Sequence, residues 1–281
     1  MSPKKFYSER VGKNPLGGNL DLPGLKRLYM TFFKQFETKG YFQEAFGYFC
    51  VDADQVAGNL GDDINAAMMI ALFKGDLWPI HERIENYTEE DLFDIIEFMH
   101  EHISEPTGGR YHDWNQCGHH YTHFKKSTGR AEYRDKLNPI LDRYADGFEL
   151  NDNGEIMTLP PNGIAPLLTE ELPHPDKENV TSRVDAAIAK FRPGKATPHE
   201  RKEAVRELVD VFEFLKKSKP DVFDKADESD LFHIANKFGI RHHDLDQKKK
   251  YDTDIFYNWI FYYYLASIHA YVRLITRSEE L

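Results

Sequence analysis

The sequence predicts an all-α protein with one small β-hairpin and a helical bundle at its C-terminal end. Apolar residues recur at helical spacing along most of the 281-residue chain. Helix start and stop residues bracket these runs, and the clearest strand-like alternation is confined to one short stretch. Because 41% of the residues are hydrophobic, the chain can bury a sizeable core, and its length suits one large domain or two ordinary ones.

Residues 1–172 are predicted to form a helical N-terminal region. Its helices are marked by apolar periodicity and cover residues 25–36, 41–49, 63–72, 88–99 and 129–144. Thr88 begins a capping-box sequence in which Asp91 takes the place of the usual Glu or Gln. Pro139 falls inside the last of these helices and is expected to kink it. Residues 105–117 are predicted to be a loop.

The hairpin is predicted at Phe148–Leu150 and Glu155–Leu159, because alternating residues flank an Asn-Asp-Asn-Gly turn. Five prolines then crowd residues 160–175, which predicts a boundary between two parts of the chain at residues 172 and 173.

Residues 173–281 are predicted to form a four-helix bundle, because four helical patterns follow one another with short connections. These patterns cover residues 179–191, 197–215, 228–238 and 253–276. Thr197, Pro198 and Glu200 form a strong helix start, and Gly239 is a C-terminal stop.

The composition narrows the function classes. A net charge of −11 argues against general nucleic-acid binding, and no preference for DNA is expected, although one local basic patch could still bind RNA. The two cysteines form no CxxC pair, and Met1–Arg10 has no apolar core for a secretion signal, so a reduced cytoplasmic setting is expected. The most apolar stretch, Ile255–Ile275, contains Asn, His and Arg, which predicts a buried helix and no membrane span.

The main candidate site is the run Arg241-His242-His243, which continues to Asp246, Gln247 and three lysines, Lys248, Lys249 and Lys250. Arginine binds phosphate in a bidentate way, and histidine transfers protons near neutral pH. Cleavage of RNA by its own 2′-hydroxyl needs both functions. The same run also suits a polar loop whose imidazoles are satisfied by backbone and carboxylate groups.

In this context the C-terminal segment resembles the HEPN (higher eukaryotes and prokaryotes nucleotide-binding) superfamily of helical, often dimeric proteins. Many members are metal-independent ribonucleases with an Arg, a polar residue, a short spacer and a His at the start of the last helix. Arg241 matches the Arg and His242 the polar residue. The family His lies a few residues further on, where this chain has Asp246 and Gln247. His243 takes over its role, or the site binds RNA without cutting it.

A wider resemblance links the chain to AbiJ-type abortive-infection proteins. Residues 231–243 and 259–270 resemble the C-terminal part of those proteins, and residues 6–12 and 112–121 are similar, more loosely, to their N-terminal domains. The resemblance implies a role in phage defence, with the C-terminal part as effector and the N-terminal part as sensor or regulator.

The predicted function is therefore a metal-independent endoribonuclease that acts as a homodimer through the C-terminal bundle. Arg241 is expected to stabilise the phosphate, His243 or His242 to carry the proton, and Asp244 or Asp246 to orient the imidazole. Gln247, Lys248, Lys249, Lys250 and His269 are expected to bind RNA or nucleotide. His269 shares a helix face with Tyr262 and Arg273, and this face equally suits a core histidine hydrogen-bonded to tyrosine. The rival classes are a non-enzymatic scaffold or sensor and a metal-dependent enzyme.

A second group of polar residues could carry the metal-dependent alternative: His112, Asp113, Cys117, His119, His120 and His123. On a helix His119 and His123 would share a face, and with Cys117 or His112 they would make a zinc site. The spacing fits no closed zinc-finger pattern, however, and His120 equally suits core packing. The prediction is that no residue binds a metal and that no cofactor is needed.

Overall fold

The computed structural model describes residues 6–11, 20–160, 164–194, 196–219, 222–223, 225–240 and 251–279. The chain divides into an N-terminal unit, Met1–Thr158, and a C-terminal unit, Leu159–Leu281. Helices predominate, and the described residues also contain three two-stranded sheets. Within the described ranges, no helix is both long and apolar enough to cross a bilayer.

The N-terminal unit alternates helices with short antiparallel hairpins. Its elements are α1 (Tyr7–Arg10), α2 (Leu22–Thr38), α3 (Gln43–Phe46), β1 (Tyr48–Cys50), β2 (Asp54–Val56), α4 (Ile64–Leu72), α5 (Ile80–Arg83), α6 (Glu89–His102), β3 (Glu105–His112), β4 (Gly118–Lys125), α7 (Lys126–Leu141), β5 (Phe148–Leu150) and β6 (Ile156–Thr158). The pairs are β1–β2, β3–β4 and β5–β6.

The core of this unit lies where α2, α6 and α7 meet. Tyr29 of α2 and Tyr133 of α7 are fully buried, and their hydroxyls lie 3.0 Å apart. Tyr133 also donates to the carbonyl of Ile96 on α6 at 3.3 Å. The aromatic rings therefore fill the core while their polar ends remain hydrogen-bonded.

Local signals predicted several boundaries correctly. The capping box at Thr88 and Asp91 is confirmed, because each residue's side chain accepts from the other's backbone N–H. The hairpin at residues 148–159 is confirmed as β5–β6. Pro139 lies inside α7, and the side chain of Asn138 pairs with both backbone groups of Leu150, which ties β5 to this helix.

The expectation of only one hairpin is wrong, because β1–β2 and β3–β4 are hairpins as well. Residues 105–112, predicted as loop, form β3, and residues 41–49 contain only the short helix α3 before β1 begins. Gly108 and Gly109 allow the pairing: a Cβ on Gly109 would lie 2.3 Å from the carbonyl oxygen of His120 on β4. The glycines that suggested a loop thus permit close approach of two strands.

The C-terminal unit is helical in its described residues. Its elements are α8 (Ala165–Thr169), a π-helical turn (Lys177–Thr181), α9 (Ser182–Phe191), α10 (Pro198–Ser218), α11 (Lys225–Lys237) and α12 (Thr253–Glu279). Helices α9 to α12 lie at the predicted positions, and all four contribute to one core. Phe191 stacks on Phe261 at 3.8 Å between ring centroids, and the Tyr264 hydroxyl donates to the carbonyl of Leu231 at 2.5 Å.

The division between the units precedes the predicted boundary at residues 172 and 173. Pro173 and Pro175 lie in irregular chain, but Pro166 lies in α8, and the apolar residues near these prolines belong to the second core. Leu172 is buried there, and Leu167 and Leu168 pack against it. Burial of these leucines, which proline content does not report, decides which unit the segment joins.

Candidate functional site

The residues of the predicted ribonuclease site fall outside the described part of the chain. They are Arg241, His242, His243, Asp246, Gln247, Lys248, Lys249 and Lys250. The description stops before them at Ile240 and resumes after them at Tyr251. Their roles therefore stay predictions, and what the structure describes is the pair of chain ends on either side.

Those two chain ends are anchored to each other. Ile240 is 2% exposed, and its backbone N–H donates to the carbonyl of Ala235 at 2.9 Å. The Tyr251 hydroxyl donates to the carbonyl of Phe238 at 2.9 Å, and the two rings lie 5.1 Å apart. The described residues on either side of residues 241–250 therefore lie close together, beside the C-terminal end of α11 and the N-terminal end of α12.

His269 lies in the interior of the C-terminal unit. It is 2% exposed, and its Nε2 donates to the carbonyl of Leu167 at 2.9 Å. Burial lowers the pKa of His269, against a smaller opposing effect of this hydrogen bond. The surroundings match a core histidine, although its partner is a backbone carbonyl and not the expected tyrosine. The predicted contact of His269 with nucleotide stays a prediction.

The structure assembles a different group of chemically active side chains in the N-terminal unit. The ligand atoms of Cys50, His112, Cys117 and His120 all lie within 4.8 Å of one another. Cys50 ends β1, His112 ends β3, Cys117 immediately precedes β4, and His120 lies on β4. We call these four residues the Cys/His cluster.

Two hairpin turns bring the Cys/His cluster together. The first follows Cys50, whose carbonyl accepts from Ala53 N at 3.2 Å, and Asp54 has a left-handed φ of 55°. The second runs from His112 to Cys117 through Asn115 and Gln116, whose φ angles are 50° and 55°. Left-handed conformations are costly for residues other than glycine. Packing must therefore maintain the conformation of both turns. Cys50 lies at the start of the first turn, and His112 and Cys117 lie at the two ends of the second.

The cluster contains two close thiol–imidazole pairs. Cys50 Sγ lies 3.8 Å from His112 Nδ1, and Cys117 Sγ lies 3.2 Å from His120 Nε2. Cys50 and His120 are buried, whereas Cys117 and His112 are partly exposed. The far nitrogen of His112, Nε2, lies 3.2 Å from the carboxylate of Asp52.

The surroundings of His120 favour the neutral form of its imidazole. It is 3% exposed, and its ring stacks on Tyr48 with centroids 4.4 Å apart. Burial lowers the pKa of His120, and the nearby His112 and Arg110 lower it further. Neutral imidazole is the form in which histidine binds metals.

The two other histidines of this strand do not join the cluster. His119 and His123 are exposed on β4, and the His119 ring stacks on Tyr121 instead. The helix that was expected to unite them is a strand, in which four residues span about 13 Å. One ion therefore cannot contact both rings, and this version of the zinc site is wrong.

Only part of the Cys/His cluster had a signal in the sequence. Cys117 and His120 have the short spacing of a metal-binding turn, and His112 lies nearby. Cys50 precedes His112 by 62 positions, so pairing it with the others requires the three-dimensional arrangement of the two hairpins.

No protein-family model, no curated protein and no solved structure matches the chain.

The four donors define what the cluster can do. Two thiols and two imidazoles are ligands for a borderline-soft divalent ion. The thiols alone could also form a disulfide under oxidising conditions. No other group of three or more candidate metal ligands occurs within the described ranges.

Proposed function

We propose that this protein is an effector of phage defence, whose C-terminal HEPN-like bundle cleaves RNA without a metal ion. Arg241 and His243, or His242 in its place, are the residues proposed to act on the phosphodiester. The proposal rests on the residue types of this run and on its position between the last two helices of a four-helix unit.

The observation that carries the proposal is the anchoring on both sides of the run. Arg241 directly follows Ile240, which is buried, and Tyr251 is hydrogen-bonded to Phe238 just upstream. A phosphate-binding arginine acts best when the chain on either side of it is rigid, since less freedom is lost on binding. The anchors therefore support a functional role for this segment.

The chemistry needs no cofactor. The 2′-oxygen of the RNA attacks the adjacent phosphorus and loses its proton to an imidazole, while the bond from phosphorus to the 5′-oxygen breaks. The imidazolium passes this proton on to the leaving 5′-oxygen, and the products carry a 2′,3′-cyclic phosphate and a 5′-hydroxyl. Arg241 stabilises the charge that develops on phosphorus, and Lys248, Lys249 and Lys250 attract the backbone.

The proposal is tested with purified full-length protein and total RNA. Chelator is added together with the RNA, so that the protein has already folded with any metal it binds. We expect wild type to produce 5′-hydroxyl ends, and Arg241→Ala to lose at least 100-fold in rate, about 3 kcal/mol of transition-state stabilisation. Arg206→Ala is the matched control, because Arg206 is an exposed arginine of α10 in the same unit.

The ribonuclease proposal fails if wild type leaves RNA intact in every state tried and Arg241→Ala is no less toxic in cells.

Light scattering on the same samples tests the proposed homodimer. RNA is the proposed partner, and single-stranded DNA, which lacks the 2′-hydroxyl, should remain uncut.

A second candidate is an RNA- or nucleotide-binding module without cleavage. It is favoured by Asp246 and Gln247, which stand where the HEPN resemblance leads one to expect the histidine. In this case a labelled RNA oligonucleotide would bind wild type more tightly than Arg241→Ala in fluorescence anisotropy, with no change in RNA length.

A further inference from the structure

We propose that Cys50, His112, Cys117 and His120 bind one Zn²⁺ ion through two thiolates and two imidazoles, as a structural centre of the N-terminal unit. The centre replaces the sequence prediction that no residue binds a metal. It does not depend on the proposed function, because every ligand lies in the N-terminal unit and the ribonuclease residues lie in the other.

The separations within the cluster are close to those of a tetrahedral zinc centre. With Zn–S bonds of about 2.3 Å and Zn–N bonds of about 2.0 Å, neighbouring ligand atoms lie roughly 3.3–3.8 Å apart. The two thiol–imidazole pairs, 3.8 Å for Cys50 with His112 and 3.2 Å for Cys117 with His120, are near this range. Since all four atoms lie within 4.8 Å of one another, only a small inward movement completes the tetrahedron.

The surroundings of the ligands also fit a metal centre. His112 offers Nδ1 to the cluster and turns Nε2 to the Asp52 carboxylate at 3.2 Å. A carboxylate on the far nitrogen is the usual partner of a zinc-binding histidine, because it fixes the ring and raises its basicity. Tyr48 holds the His120 ring from one face by stacking.

The donor set indicates both the metal and its role. Thiolates with imidazoles select Zn²⁺ over Mg²⁺ and Ca²⁺, which prefer oxygen. Two thiolates, whose protons pass to solvent, neutralise the charge of the ion. The free-energy cost of burying the centre is therefore small. Four protein ligands leave no open position for water, which is typical of a structural site and not a catalytic one.

The ion would add a second link between two hairpins that the stacking of Tyr48 on His120 already joins. β1–β2 has three residues in each strand, and β3–β4 carries a shift of register at Gly108 and Gly109. Isolated two-stranded hairpins are marginal in water. A shared ion would attach Cys50 of the first hairpin to three residues of the second, as structural zinc does in small domains.

The test measures metal bound to the full-length chain, expressed without a histidine tag and purified under reducing conditions. We expect one zinc ion per chain by elemental analysis, and less than a tenth of this amount in Cys117→Ser and His120→Asn. His119→Asn and His123→Asn are matched controls, because these histidines are exposed on the same strand, and they should retain the ion.

A second measurement keeps the proposal testable if a variant fails to fold. Wild type is stripped of metal and titrated with Co²⁺, which should give the intense visible bands of a tetrahedral ion and a thiolate charge-transfer band. Native mass spectrometry distinguishes bound zinc from a Cys50–Cys117 disulfide. Folded wild type that holds no zinc after supplementation, or that carries the disulfide under reducing conditions, would overturn the proposal.

Discussion

At the scale of single residues, His100 is a buried histidine that two arginines, Arg130 and Arg134, contact. It is 2% exposed, and Arg134 donates to its Nε2 at 3.3 Å. Burial, together with the charges of Arg130 and Arg134, lowers the pKa of His100 to about 4. Gly154 lies over the ring, where a Cβ would come within 2.3 Å of Nδ1. The site therefore accepts the neutral imidazole and opposes its protonation.

This environment predicts that the N-terminal unit loses stability on acidification. The unfolded chain has a histidine pKa of about 6.5, so it binds the proton at higher pH than the folded unit does. As far as His100 is concerned, the free energy of unfolding is therefore at its full value above the pKa of the unfolded chain. It decreases as the pH falls toward 4, because the unfolded chain binds the proton first. For this side chain alone we expect a loss of about 2 kcal/mol between pH 7 and pH 5.

Urea unfolding at the two pH values measures the loss, with tryptophan fluorescence in a Trp259→Phe background. The remaining tryptophans, Trp78 and Trp114, both lie in the N-terminal unit. His100→Gln should flatten the pH dependence, whereas His81→Gln, at an exposed histidine of the same unit, should leave it unchanged. Equal slopes for wild type and His100→Gln would contradict the assignment.

At the scale of elements, neighbouring residues in the sequence determine where helices begin and end, whereas packing in three dimensions determines which elements they contact. The capping boxes at Thr88 and Thr197 begin α6 and α10. By contrast, nothing local explains Gly129 in the first turns of α7, where glycine is a poor helix former. A Cβ at this position would lie 2.6 Å from Glu105 N and 2.8 Å from Ser104 C. The glycine lets α7 lie against the backbone at the start of β3.

This contact predicts that Gly129→Ala destabilises the N-terminal unit although alanine favours helix. Helix propensity alone would add up to about 1 kcal/mol. Forcing a methyl group against backbone that cannot rotate away costs roughly 1–3 kcal/mol, so we expect a net loss. The midpoint of urea unfolding in the Trp259→Phe background measures it. Gly75→Ala has open space around the new methyl group and should change little, and a rise in stability for Gly129→Ala would contradict the packing argument.

At the scale of the whole molecule, the chain builds two separate cores. One comprises buried residues between Leu20 and Ile156, and the other comprises buried residues between Leu172 and Ile275. Phe212 of α10 lies at the centre of the second, with Tyr264 and Tyr271 around its ring at 6.2 and 5.4 Å. Each core is continuous within its own unit.

The two cores predict that a cavity in one unit affects mainly that unit. Phe212→Ala removes a fully buried ring, and such a change costs about 3–5 kcal/mol. Hydrogen exchange by mass spectrometry should show lost protection in peptides from α9, α10 and α12, with much smaller changes in α2, α6 and α7. Leu92→Ala, in the core of the other unit, should give the reverse pattern. Equal loss of protection in both units would mean that the chain unfolds as one.

The sequence by itself determined the features that depend on neighbours along the chain. The helix starts at Thr88 and Thr197, the helix stop at Gly239 and the hairpin that begins at Phe148 were all predicted correctly. A cap or a tight turn is made by residues two to four positions apart, so the local sequence is enough to predict it. The Arg241-His242-His243 run is likewise a local pattern, and its function stays a prediction.

Only the tertiary structure decided the features that join distant parts of the chain. It packed the leucines of residues 164–172 into the C-terminal core, buried His269 against Leu167, and brought Cys50 to His112, Cys117 and His120. The β3–β4 hairpin was missed because its glycines suggest a loop until an opposing backbone is present. The physical reason is the same in each case: burial and ligand geometry depend on distances in space, and spacing along the chain does not encode these distances.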